Sequence, residues 1–199
     1  SDISSYHLSK DDITYLLELA INSRPDLWYV DRACSYWPSP DGTIRVILFK
    51  YVADEVTIDR MQQKYYAALD DLLSWIPRNN PPAGQVKAAH DWLVRNVAYN
   101  MPAADLGKDG YGVTLEDNPW SAYTTLVHKS GVCQGYLLAF AAALNSLGIE
   151  NCPTFNFPEK HGWNRVKLGD YWYHVDVTWD DPVPDRGFSW TPKTDYFLK

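Results

Sequence analysis

The chain has 199 residues, enough for one domain or one domain with a smaller elaboration, and with 46% hydrophobic residues it can bury a substantial core. A net charge of −7 without any Lys/Arg cluster argues against nucleic acid or an anionic membrane as partner, and no apolar run is long enough to span a bilayer. Three cysteines make no disulfide scaffold, no pair has zinc-ligand spacing and the five histidines form no HExxH pattern, so neither metal nor cofactor is expected.

Cys34 and Cys152 are expected to be separate thiols. The alternative, one bridge between them, would equally leave Cys133 free. Nine Trp and 14 Tyr suit a core and the walls of a wet cleft, where the rings could also stack on a peptide or sugar. The chain opens Ser1-Asp2-Ile3 without methionine, as expected of a processed chain.

In chain order, Ser9-Lys10-Asp11-Asp12 reads as a capped helix start, followed by the helical spacing of Ile13, Leu16, Leu17 and Ala20 and ended by Arg24-Pro25. Residues 27–36 and 43–52 read as two strands joined through Pro38-Ser39-Pro40-Asp41-Gly42. Met61, Tyr65, Leu69, Leu72 and Ile76 predict a helix over 59–76, and a second runs over 83–97 after the linker-like Asn79-Asn80-Pro81-Pro82. His90 falls on the apolar stripe of that helix and reads as a satisfied core histidine. Residues 100–121, broken by Pro102, Gly107, Gly110, Gly112 and Pro119, read as a long surface loop bordering a cleft. Its acids lack the alternating spacing of an EF-hand loop.

After a short helical turn over 121–127 comes Gly131-Val132-Cys133-Gln134-Gly135-Tyr136, which runs into the apolar segment 137–147. Leu137, Phe140, Ala141 and Leu144 share a face, the alanines keep the helix thin, and Gly148 fits the position past its C-terminus. This predicts a central buried helix with a cysteine at its N-terminal tip. Unpaired N–H groups and the helix dipole converge on that tip and favour an anion, and the thiolate is the reactive form of cysteine.

A strand is expected over 153–157, then two more over 163–168 and 171–177. Gly169-Asp170 between them is two-residue hairpin chemistry. With Leu168 opposite Tyr171, counting back places Asp176 opposite Trp163 and His161 opposite Thr178. His161, Trp163, Asp176 and Thr178 then share a face, with His161 and Asp176 as diagonal neighbours, while Asn164 points the other way. A slip of one residue would separate the pair. A thiolate that attacks a carbonyl, an imidazole that moves the proton and a carboxylate that orients the imidazole make a nucleophilic triad, for which Cys133, His161 and Asp176 are the candidates.

The three motifs around Cys133, His161-Gly162-Trp163-Asn164 and Tyr173-His174-Val175-Asp176-Val177-Thr178-Trp179-Asp180-Asp181-Pro182 resemble, in order, the transglutaminase-like superfamily, especially its bacterial members, many of them exported. The resemblance covers about residues 83–182. It implies an α+β, papain-like fold: a central helix bearing the cysteine, packed on an antiparallel sheet that carries His and Asp. Residues 81–199 would form this catalytic core and 1–80 an α/β N-terminal extension packed on it. It further implies nucleophile, base and orienting carboxylate roles for Cys133, His161 and Asp176. The Cys133 N–H would serve as one oxyanion donor, with Tyr123, preferred, or Trp120 as the second, and Trp163 as cleft wall.

The expected activity is cysteine-dependent acyl transfer on peptide or protein amides through a thioester. Hydrolysis by a protease or amidase is expected first, and protein crosslinking is the alternative. A reading from another class is a non-catalytic binding or scaffold module of the same fold. The expected partner is a peptide or protein, such as a cell-wall or cell-surface one. The expected location is extracellular or cell-surface, with cytoplasmic as the alternative. Oligomeric state is not legible.

Overall fold

The computed structural model describes residues 3–156, 158–181 and 194–199. Phe157, the expected end of one strand, and Pro182, the last residue of the third motif, lie outside the described residues. Everything is arranged around the helix that begins at Cys133.

The first helix, α1 (Lys10–Ser23), starts at a full capping box between Ser9 and Asp12. An antiparallel hairpin of β1 (Val30–Pro38) and β2 (Ile44–Tyr51) follows. Helix α2 (Glu55–Trp75) begins a turn earlier than its apolar spacing suggested, because Asp54 caps it by accepting from the Thr57 N–H at 2.9 Å. Helix α3 (Pro82–Asn96) carries Val86, Ala89 and Leu93 into the core. Two-residue strands β3 (Ala98–Tyr99) and β4 (Ser130–Gly131) then pair in parallel, tying the end of α3 to the segment that leads into Cys133.

Between β3 and β4 the expectation of a loop over 100–121 is corrected in its first half. Residues Met101–Tyr111 form α4. Pro102 lies in the first turn, where no intrahelical donor is lost, and the Asn100 side chain caps the helix through the Ala103 N–H at 2.9 Å. Gly107, with φ of 68°, interrupts it rather than preventing it. Helix α5 (Ala122–Val127) then begins at the cap residue Ser121.

Helix α6 (Cys133–Ser146) is buried from Gly135 to Leu144. It packs on α3, α5 and the sheet, and an all-round apolar helix is stable only in such a sandwich. Truncating its fully buried Phe140 to Ala would cost about 3–5 kcal/mol. The sheet runs in the order β5-β6-β7, with β5 Asn151–Asn156, β6 His161–Leu168 and β7 Tyr171–Val175, all antiparallel. Register follows the Gly169-Asp170 turn: Leu168 faces Tyr171 and Asn164 faces Val175. The expected strand to 177 is two residues too long, because Val177–Asp180 turn into a short helix, α7.

Met61, Tyr65, Leu69 and Leu72 of α2 join the same apolar cluster as α3, α5 and α6. One core therefore runs across residue 80. All three cysteines are free thiols. No helix among the described residues is long and apolar enough to cross a membrane, and no group of metal-ligating side chains occurs among them.

Candidate active site

Cys133 is the first residue of α6, with Val132 at the cap position. Its helix tip is held by close packing. A Cβ on Gly135 would come 2.3 Å from Thr125 Oγ1 and 2.4 Å from the Pro119 carbonyl, and one on Gly131 would come 2.5 Å from the same hydroxyl. Only hydrogen at both positions lets α6 rest on α5. The Val132 N–H donates to Pro119 O at 3.0 Å, which sets Trp120 beside the tip.

His161 opens β6. Its Nε2 lies 2.5 Å from Asp176 Oδ2, and the ring lines the same recess as Cys133. Burial by itself would lower the pKa of His161, but the bond to Asp176, then the nearby Cys133 thiol, and the charges of both push it up to about 9. The ring is therefore an imidazolium at neutral pH.

Asp176 acts at two places. Oδ2 meets His161 while Oδ1 accepts from the Trp179 N–H at 3.1 Å, capping α7. That cap lays Trp179 flat on the His161 ring, 4.6 Å between centroids and 6° between planes. Trp163 stacks on the same ring more loosely, at 5.8 Å, and donates its Nε1–H to His174 Nδ1 at 2.7 Å. Because the chain leaves the sheet after Val175, Asp176 reaches His161 from a strand end, and the expected facing of His161 and Thr178 does not form.

Cys133, His161 and Trp120 line one recess of about 390 Å³, with Gln134, Phe155 and Gly162. Tyr123 lies elsewhere and corrects the expectation of a donor there. Its buried ring packs on Trp28 at 4.8 Å and its hydroxyl donates to Glu116 at 3.1 Å. Of the two side-chain donor candidates, Trp120 lines the recess with Cys133 and Tyr123 does not.

Three participants were not read from the sequence. Trp179 lies beyond the expected strand end at 177, in a short helix that the spacing does not announce. The Lys160 carbonyl oxygen lies 3.8 Å from Cys133 Sγ, at a bend that no local signal announces. Tyr99 is the third: burial first, then the charges of Cys133, Asp105 and Asp176, push its pKa up to about 12 and keep its hydroxyl protonated. Asn164 and His90 behave as expected of structural residues. Asn164 is buried and donates to Leu137 O at 3.1 Å. His90 is fully buried between Asp91 at 2.9 Å and Asp180 at 3.1 Å.

A chain order of helix-tip cysteine, strand histidine and strand-end aspartate is a comparison that can be made across proteins. The family described as the transglutaminase-like superfamily matches residues 74–177, just over half of the chain. The chain belongs to the transglutaminase-like superfamily. A solved structure described as a TGase is similar over 96% of this chain and 54% of its own, at 13% identity and a TM-score of 0.51, a likeness of fold. A proposed cysteine protease from Cytophaga hutchinsonii aligns over 76% of this chain and 63% of its own, at 17% identity and a TM-score of 0.40. The chain thus spans roughly half to two thirds of the length of these solved structures. A search of curated proteins found no match. For this transglutaminase-like chain the fold is the mixed, papain-like one expected from its motifs.

Proposed function

We propose that this chain catalyses acyl transfer from peptide or protein amides through Cys133, and that water is the usual acceptor. The observation that carries the reading is the His161–Asp176 hydrogen bond of 2.5 Å at a recess that His161 shares with Cys133, whose sulfur stands at a helix start. In the first half-reaction the Cys133 sulfur attacks the amide carbon. The new oxyanion is met by the Cys133 N–H and the Trp120 indole, and His161 gives its proton to the leaving amine as the C–N bond breaks. In the second, His161 takes a proton from water while the water oxygen attacks the thioester carbon. The acid leaves and the thiolate returns.

Hydrolysis is favoured because Cys133 and His161 are both partly exposed, so water has access to a thioester there. A lysine amine in place of water would make the same site a crosslinking enzyme, and the fold likeness to a protein described as a TGase keeps that second reading. Substrates at the cell wall or cell surface, and export of the chain to meet them, belong to this proposal.

The test is alkylation by iodoacetamide at pH 6 followed by assay on peptide amides with and without an added primary amine. Cys133 should be alkylated well above the rate of a free model thiol, and peptide acid should appear. Amide-linked amine as the main product would move the reading to crosslinking. Ordinary alkylation together with no turnover would leave a non-catalytic module.

A further inference from the structure

The recess beside Cys133 opens into a longer groove. Gln134 and Phe155, which line the recess, also line this groove, between α1 and β5. On its β5 side lie Cys152 and Pro153. The other wall is α1, which is amphipathic in an unusual way. Ile13, Leu17 and Ile21 face the core, yet Tyr15 and Leu19, four residues apart and so on one stripe, are 68% and 48% exposed. A second apolar stripe turned to solvent marks a surface that something covers.

The groove also has an electrostatic direction. Arg32 bonds to Asn22 and Glu18, near the C-terminal end of α1, and Lys108 of α4 lies in the same lining. Arg32, Lys108 and Gln134 together line a neighbouring recess as well, with Asp31, so the end of the groove that holds Lys108 is the junction beside the helix tip that bears Cys133. Glu18 pairs directly with Arg32, whereas Lys108 makes no direct hydrogen bond or ion pair with a described residue and feels Glu18, Asp109 and Asp31 only at longer range. Asp11 stands at the opposite end of the α1 wall. From Asp11 to Asn22 the helix rises about 16 Å, the reach of about five extended residues.

We propose that this groove is the bed of the acyl-donor peptide, with a bulky apolar side chain against Tyr15 and Leu19 and a carboxylate held by Lys108. The N-terminal helix is then part of substrate recognition. This rests on the acyl-transfer reading. An extended peptide fits because the groove is long, walled on two sides and continuous with the recess that would take its reacting amide. A carboxylate fits because Lys108 makes no direct ion pair with a described residue, the carboxylates of Glu18, Asp109 and Asp31 acting on it only from beyond that distance.

The test uses fluorescein-labelled decapeptides with one central glutamine, carrying Glu, Gln or Lys at successive flanking positions and Phe or Ala next to them. Turnover by the wild type and binding to the Cys133→Ala protein are both measured. One position should prefer Glu over Lys by about tenfold, and Lys108→Glu should reverse that order. Tyr15→Ser with Leu19→Ser should weaken the Phe peptides about tenfold and leave the Ala peptides unchanged. These side chains are exposed, so folding is not at stake. Indifference of both binding and turnover to Lys108→Glu and to the α1 pair overturns the groove proposal while leaving the triad standing. Selective binding to Cys133→Ala without wild-type turnover supports the groove and overturns the acyl-transfer reading.

Discussion

The two halves of the site are held by opposite means. On the thiol side, Cys133 is positioned by the absence of side chains: Gly131 and Gly135 bring α6 onto Thr125 and Pro119 with no room for a methyl group. On the imidazole side, His161 is positioned by polar bonds and ring stacking, through Asp176, Trp179 and Trp163. Close packing resists small movements and fails abruptly when overfilled, whereas a hydrogen-bonded pair can lose one partner and keep its shape. The thiol half should therefore break through stability and the imidazole half through chemistry.

The largest expected effects are on the rate. Cys133→Ala should abolish turnover with an unchanged urea midpoint, since the thiol is partly exposed and supports no packing. Asp176→Asn should lower kcat/KM by about 10⁴-fold, as loss of an orienting carboxylate does in triads, with the fold kept because an amide oxygen can still cap α7 and with loss only of the stability that the His161–Asp176 pair supplies below about pH 9. A fold lost in Asp176→Asn as readily as through overpacking of the thiol half would erase the contrast between the halves.

Gly135→Ala is the converse. Its Cβ meets a backbone carbonyl that cannot swing aside, so it should cost about 1–3 kcal/mol in urea unfolding and displace Cys133. A fully stable Gly135→Ala protein would show that the tip is not held by packing. Smaller in effect, but diagnostic, is the pH dependence. His161 has a pKa of about 9 against about 6.5 in an unfolded chain. Its contribution to stability is complete below about pH 6.5 and is lost as pH rises through about 9. The acid needed for amine departure disappears over the same alkaline range, so kcat/KM should fall on a limb near pH 9. The smallest shift is expected from Trp179→Leu, which removes a ring stacked on the imidazolium and should move that limb down by a fraction of a unit. An unmoved limb would make the stack a matter of shape alone.

Much of the imidazole half was legible because its determinants are local. Gly169-Asp170 dictates the turn, and the turn dictates which residues face each other down to Asn164 and Val175. The reading strayed where the chain left that regularity. Asp176 works as the cap of α7 rather than as a strand residue, and capping preferences do not announce where a strand stops. The thiol half was legible only as a helix start. The glycines of its motif could be seen, but not that they face Thr125 and Pro119, which are close in space through α5 and distant in periodicity. Tyr123 failed as a donor for a related reason, since Glu116 and Trp28 claim it from parts of the chain that no spacing connects to it. Helix α4 escaped notice because proline and glycine were taken as breakers, although one sits in a first turn and the other only interrupts.

Gly162, next to the imidazole, closes the gap between the halves. A Cβ there would come 2.7 Å from Leu137 of α6, and two residues on Asn164 bonds to the Leu137 carbonyl. Helix and strand thus meet tightly at Leu137, and the reach between sulfur and ring is measured from that rung. That rung works as a gauge block: one added methyl group would widen the jaw on which a proton must cross, and every bond drawn around His161 could survive while the crossing lengthened.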